Sequence, residues 1–159
     1  MLAAASQENF ITGGSITLEG DGLTIDATGH TIGISAKLGG SGALASDAGV
    51  VILSASNQYS GGTIVNSGTL ETRNADAVGS GNFTLNAGAT LKATGGLNIG
   101  GDFIWNGGEI HLTIGQNTDT IRVTGALDNR GGGAAFHLTA DEGYAVNRIF
   151  TLFSYGDST

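Results

Sequence analysis

An Asp or Asn returns about every 20 residues along this chain, and that interval restricts it to a small set of folds. The positions are Asp26, Asp47, Asn66, Asn86, Asn106, Asp128 and Asn147, with steps of 21, 19, 20, 20, 22 and 19 residues. Around them recurs a small motif: an apolar residue, the Asp or Asn, one or two small residues, then Gly. It reads Ile25-Asp26-Ala27-Thr28-Gly29, Val65-Asn66-Ser67-Gly68, Leu85-Asn86-Ala87-Gly88 and Trp105-Asn106-Gly107-Gly108, with looser copies elsewhere. A fixed period of this length marks a repeat architecture. One unit cannot bury its own apolar face, so it stacks on its neighbours.

The flanks of the motif carry the same period. The residue before each Asp or Asn is Ile25, Ser46, Val65, Leu85, Trp105, Leu127 or Val146, and two positions earlier stand Leu23, Leu44, Thr63, Phe83, Phe103, Gly125 and Tyr144. Residues two apart on a strand share a face. The expected core columns are therefore Leu23, Ile25, Val65, Phe83, Leu85, Phe103, Trp105, Leu127 and Val146. Apolar residues return after the turn at Ile32, Val51, Leu70, Leu91 and Ile110. Each unit thus reads as a short strand, an Asx-Gly turn, a second short strand and a variable loop.

Units spaced about 4.8 Å apart pair their backbones and stack like side chains into one core. Asp and Asn suit the turn because they tolerate the left-handed backbone region and hydrogen-bond their own turn. Stacked Asn side chains also ladder along the axis. The expectation is an all-β right-handed parallel β-helix (a β-solenoid) of about seven coils of about 20 residues. It forms a single domain over 1–159, with 1–14 as an N-terminal cap or lead-in coil. Gly39–Ala48 and Gly131–Gly133 are where the coil register is least fixed by the pattern. A β-sandwich would also give many short strands, but it has no need of one Asx column at this period.

Composition agrees. The chain has 29 Gly and no Pro. A proline would delete a ladder bond in a strand paired on both sides. No segment sustains the spacing of an amphipathic helix, and no apolar run approaches the roughly 20 residues of a membrane span. Net charge is −8, and the six basic residues are scattered, so a nucleic-acid partner is disfavoured. The absence of cysteine excludes disulfides, thiol chemistry and Cys-ligated zinc. The start Met1-Leu2-Ala3-Ala4-Ala5-Ser6 lacks the basic residues and long apolar core of a signal peptide. Either such a signal is expected upstream in a longer protein, or the chain is expected to be an excised segment.

Some parallel β-helices cleave polysaccharides, which takes two or three convergent carboxylates. The acidic candidates are Glu109, Asp119, Asp128, Asp141 and Glu142, and Glu109 and His111 share a strand face. Asp119 ends an Asn117-Thr118-Asp119 triplet, but no Asp-Asp pair or Arg-x-Lys motif accompanies it, the other acids or Gly29-His30. His30, His111 and His137 do not stand at metal-ligand spacing in the sequence. The chain is therefore expected to hold no catalytic, cofactor-binding or metal-binding residues and to need no cofactor. Trp105 is expected in the core, and Tyr59 and Tyr155 on the surface. A solenoid has two open ends. The apolar run near one of them, with Ile149, Phe150, Leu152 and Phe153, is the expected end-to-end contact.

The stretch Ser56-Asn57-Gln58-Tyr59-Ser60-Gly61-Gly62-Thr63-Ile64-Val65-Asn66-Ser67-Gly68-Thr69-Leu70 resembles the autotransporter-associated β-strand repeat, roughly N-x-Y-S/T-G-G-T-x-I/V-N-x-G-T-L. Asn74–Gly81, ending in Gly-Ser-Gly, resembles its usual continuation; the close resemblance covers about 50–92 and a looser one runs to Tyr155. It implies a passenger segment secreted by the type V route to the bacterial cell surface or the extracellular space. The family pattern is structural and carries over no catalytic residues. The expected function is a non-catalytic extracellular stalk or scaffold of a surface or adhesin protein. Its partners would be flanking coils or other copies stacked into fibres, with surface glycan or cell contacts. The alternative is a polysaccharide-binding or polysaccharide-cleaving β-helix.

Overall fold

The structure, a computed structural model, describes residues 7–116, 118–140 and 151–156. Within them every secondary-structure element is a short strand, and every strand pairing is parallel. A lead strand, β1 (Gln7–Ile11), precedes six stacked coils. The first coil holds β2 (Ser15–Leu18), β3 (Leu23–Asp26) and β4 (Thr31–Ile34), and the second β5 (Lys37–Gly40), β6 (Leu44–Asp47) and β7 (Val50–Leu53). The third holds β8 (Thr63–Val65) and β9 (Gly68–Thr72), and the fourth β10 (Phe83–Asn86) and β11 (Ala89–Ala93). The fifth holds β12 (Leu97–Ile99), β13 (Phe103–Asn106) and β14 (Glu109–Ile114), and the sixth β15 (Ile121–Val123), β16 (Leu127–Asn129) and β17 (Ala135–Ala140). A last strand, β18 (Phe153–Tyr155), pairs with β15.

The strands make the faces of a parallel β-solenoid. One face is the seven-stranded sheet β1-β4-β7-β9-β11-β14-β17; a second is the six-stranded sheet β3-β6-β8-β10-β13-β16. The third starts with β2-β5 and ends with β12-β15-β18. Between them it continues through irregular backbone: Gln58 N–H donates to Leu38 C=O (2.8 Å), Ser80 N–H to Tyr59 C=O (2.9 Å) and Asn98 N–H to Ala75 C=O (2.7 Å). Six coils are described where the pattern suggested about seven. The seventh motif copy, with Val146 and Asn147, lies outside the described residues, as do Ile149 and Phe150.

The inward columns stack in register. Leu23, Leu44, Thr63, Phe83 and Phe103 form one run of paired positions, and Ile25, Ser46, Val65, Leu85 and Trp105 the next. Across the core Ile32, Val51, Leu70, Leu91, Ile110 and Phe136 form a third. Val65, Leu70, Phe83, Leu85, Leu91 and Phe103 are fully buried. Burying one such side chain contributes about 1.5–3 kcal/mol. Phe83 and Phe103 meet edge to face at 5.4 Å, and Trp105 stacks beside Phe103 at 6.0 Å. Trp105 is 4% exposed, and its indole N–H donates to Gly108 C=O at 3.2 Å, so it is a core residue.

The sixth coil departs from the sequence pattern. Through the first five coils, partners in the two large sheets stand 19–21 residues apart; then Phe103 pairs with Leu127 and Glu109 with Ala135, steps of 24 and 26. Extra residues enter at the 115–120 corner and at the Gly131–Gly133 turn, whereas the Gly39–Ala48 register runs unbroken. The consequence corrects two assignments. Leu127 stacks under Phe103, not Trp105, and Asp128 stacks on Ile104, outside the Asx column. The corner is fixed by Asp119, 4% exposed, whose two carboxylate oxygens accept from Gly95 N–H (2.6 Å) and Thr113 N–H (2.7 Å).

Among the described residues two buried hydroxyls have no hydrogen-bond partner, Ser46 Oγ and Thr72 Oγ1. An unpartnered buried polar group costs about 1–3 kcal/mol. Thr72→Val keeps the shape and removes the orphan. It should raise stability by about 1 kcal/mol, which at this chain length is roughly 2–4 °C in the thermal midpoint. A lower midpoint in a thermal melt would show that Thr72 Oγ1 is satisfied in solution.

Candidate functional site

The Asx column is a surface ladder from the second coil to the fifth. Asn66 Nδ2 donates to Asp47 Oδ1 (2.7 Å), Asn86 Nδ2 to Asn66 Oδ1 (3.0 Å) and Asn106 Nδ2 to Asn86 Oδ1 (2.9 Å). Asn66 and Asn86 thus each offer their oxygen to the next coil and their nitrogen to the previous one. Asp26, paired in register with Asp47, bonds within its own turn and accepts from Thr28 N–H (3.0 Å) and Thr28 O–H (2.6 Å). Those bonds hold its carboxyl below the usual range.

The block that resembles the β-strand repeat has a physical explanation. Asn57 is 5% exposed; its Oδ1 accepts from Leu38 N–H (2.8 Å) and its Nδ2 donates to Ala77 C=O (2.6 Å). One side chain therefore ties three successive coils together. Tyr59 corrects the sequence reading, which placed it on the surface: it is fully buried. Its hydroxyl bonds Thr63 Oγ1 at 2.6 Å, and Thr63 in turn donates to Val78 C=O at 2.9 Å. Burial pushes the Tyr59 phenol well above its ordinary range. Gly61 is required by contact, since a Cβ there would stand 2.4 Å from the Gly42 carbonyl carbon. Tyr155, by contrast, is 60% exposed.

The acidic candidates scatter into separate roles. Asp119 is committed to backbone N–H groups at the 115–120 corner. Asp128 bonds Arg130 Nε at 2.6 Å, and that hydrogen bond and charge hold its carboxyl low. Asp141 and Glu142 lie outside the described residues. Glu71 is flanked by Arg73 Nε (2.6 Å) and Lys92 Nζ (3.0 Å). Its partial burial works to raise its pKa, but the two cations outweigh that and leave it lowered. The stability this pair of contacts supplies is full at neutral pH and is lost as pH falls through the lowered carboxyl pKa. A shallow groove of about 430 Å³ runs beside Gln58, Asp76, Ser80, Asn98 and Thr124 on the third face, with no aromatic side chain in its lining.

One cluster escaped the sequence pattern. His111 and His137 are register partners on β14 and β17, with rings stacked at a 4.4 Å centroid separation. Glu109, two residues before His111 on the same face, places Oε2 3.2 Å from His111 Nε2 and 3.4 Å from His137 Nε2. The two histidines are 26 residues apart, off the repeat interval, because the lengthened corners lie between them. Spacing alone gave no sign of the pair.

At the C-terminal end of the stack the described core columns finish in exposed apolar residues. Phe136 and Leu138 occupy inward columns above Ile110 and Leu112 but are 45% and 48% exposed. Leu152 and Phe153, expected at an end-to-end contact, instead pack partly buried against the core. Phe153 lies 5.3 Å from Phe136 and 6.2 Å from Phe103, ring to ring. Among the described residues β16, β17 and β18 are the terminal strands of their sheets, and no helix is long and apolar enough to cross a membrane.

No curated protein and no solved structure gives a significant match to the chain. Residues 45–71 match the family model of the passenger-associated-transport-repeat. They run from β6 to β9, a little more than one coil, and contain the Asn57, Tyr59 and Gly61 contacts. The parallel β-solenoid and the repeat at residues 45–71 together fit a passenger-type segment.

Proposed function

We propose that this chain is a non-catalytic, rod-forming segment of a secreted surface protein, presented outside the cell, and that its C-terminal face stacks on a further parallel coil. The observation that carries the reading is the exposed end of the core columns. Phe136, Leu138 and Tyr155 lie at 45–60% exposure where the terminal strands of all three faces lack an outer partner among the described residues. Such an end is a template for strand addition. Six coils at about 4.8 Å give a rod only about 29 Å long, so length comes from more coils. The occupant we favour is a second copy, whose opposite end offers β1, β2 and β3, terminal strands of the same three faces.

Electron microscopy and light scattering over a concentration series test this. Rods that lengthen with concentration, and that revert to single particles in Phe136→Asp/Leu138→Asp, support end stacking. Single particles at every concentration would remove the second copy as occupant. Turnover of a polysaccharide that disappears in Glu109→Gln would overturn the non-catalytic reading.

A further inference from the structure

We propose that Glu109, His111 and His137 form a binding site for a single transition-metal dication of the zinc class on the outer face of the seven-stranded sheet. The three donor atoms all lie within 4.8 Å of one another. Glu109 Oε2 stands 3.2 and 3.4 Å from the two imidazole Nε2 atoms. Ligands about 2.0–2.1 Å from a tetrahedral zinc ion are separated by roughly 3.3 Å along each tetrahedral edge. The carboxylate–imidazole separations already have that value, and the imidazole–imidazole edge, no longer than 4.8 Å, would close by rotation of the exposed rings. Two imidazoles and a carboxylate suit zinc, copper or nickel; calcium and magnesium call for oxygen donors. The side chains are 41–51% exposed, which leaves the remaining position open to water.

The surroundings favour the site. The histidines sit on rigid, paired strands, in full register from Glu109↔Ala135 to Ile114↔Ala140. The nearest cation in the column, Lys92, pairs in register with His111, but its Nζ is engaged by Glu71 at 3.0 Å. Repulsion of an incoming dication is thereby reduced. The ligands come from two coils, so a bound ion would staple the fifth coil to the sixth.

Isothermal titration of tag-free, metal-stripped chain with zinc chloride tests the proposal, with calcium chloride as the control. The expected result is saturable uptake of one zinc per chain and none of calcium. His111→Ala and His137→Ala should each weaken binding by at least roughly tenfold, with unchanged far-ultraviolet circular dichroism. Cobalt bound in place of zinc should show the intense visible absorption of a four-coordinate ion, lost in the same variants. Absence of saturable uptake, or uptake unaffected by both histidine substitutions, would overturn the site.

Discussion

Gly49→Ala is expected to remove roughly 4 kcal/mol or more, at the upper end of what one substitution does, and to leave little folded protein at 37 °C. Gly49 has φ +59°, a left-handed conformation that is itself costly for a residue with a side chain. A Cβ placed there would also stand 1.8 Å from Ala27 O, 2.4 Å from Ala27 C and 2.8 Å from His30 O. All three are backbone atoms of the preceding coil, so no side-chain rotation relieves the overlap. The coils would have to separate locally, at a point where Val50 N–H donates to His30 C=O (2.9 Å) and Thr69 N–H to Gly49 C=O (2.8 Å). Gly29→Ala is the control. It shares the left-handed backbone (φ +72°) but meets nothing within 4 Å, so only the conformational term of about 1–2 kcal/mol applies. Urea melts of both variants decide the matter, and equal midpoints would mean that coil-to-coil contact at Gly49 is not what excludes a side chain.

Asn57→Leu is expected to cost about 2–5 kcal/mol. It leaves the Leu38 N–H and the Ala77 C=O without their present partner in a buried position, each at about 1–3 kcal/mol. Asn57→Asp sharpens the test. Protonated, the new side chain reproduces both bonds, accepting from Leu38 and donating to Ala77. Ionised, it places a charge beside the Ala77 carbonyl oxygen. Its folded-state pKa should therefore be raised, so its stability is retained below the ordinary carboxyl pKa and lost as pH rises through the folded value. Thermal melts at pH 4 and pH 7 should show the Asp variant less impaired, relative to the parent, at the lower pH. The reverse order would mean that Asn57 is not wedged between the two backbones as described.

The parts of this fold that were legible in the sequence are those where each coil keeps the same number of residues. From Asp47 to Asn106 a linear interval becomes a direct contact, and the ladder amides and the columns ending in Phe103 and Trp105 follow from counting. Counting failed where corners lengthened. Asp128 looked like another member of the column because Asp suits turns anywhere. Only the pairing of Phe103 with Leu127 shows that the register had moved. Tyr59 failed differently. A phenol flanked by Gln and Ser reads as surface, and its burial depends on Thr63 supplying the hydroxyl partner four residues later. The same lengthening hid the pairing of His111 with His137, which no fixed period connects.

Those lengthened corners separate two properties that most folds keep tied together. The rise from coil to coil is set by strand pairing, whereas the number of residues spent on a coil is not. The 115–120 and Gly131–Gly133 corners take up the surplus while β13 and β16, and β14 and β17, stay in register. Gly132 has open space around it. A peptide spliced in at that turn would protrude sideways and leave the axial column of side chains undisturbed, so a chain of this kind can acquire new surface loops by local insertion without redesigning its interior.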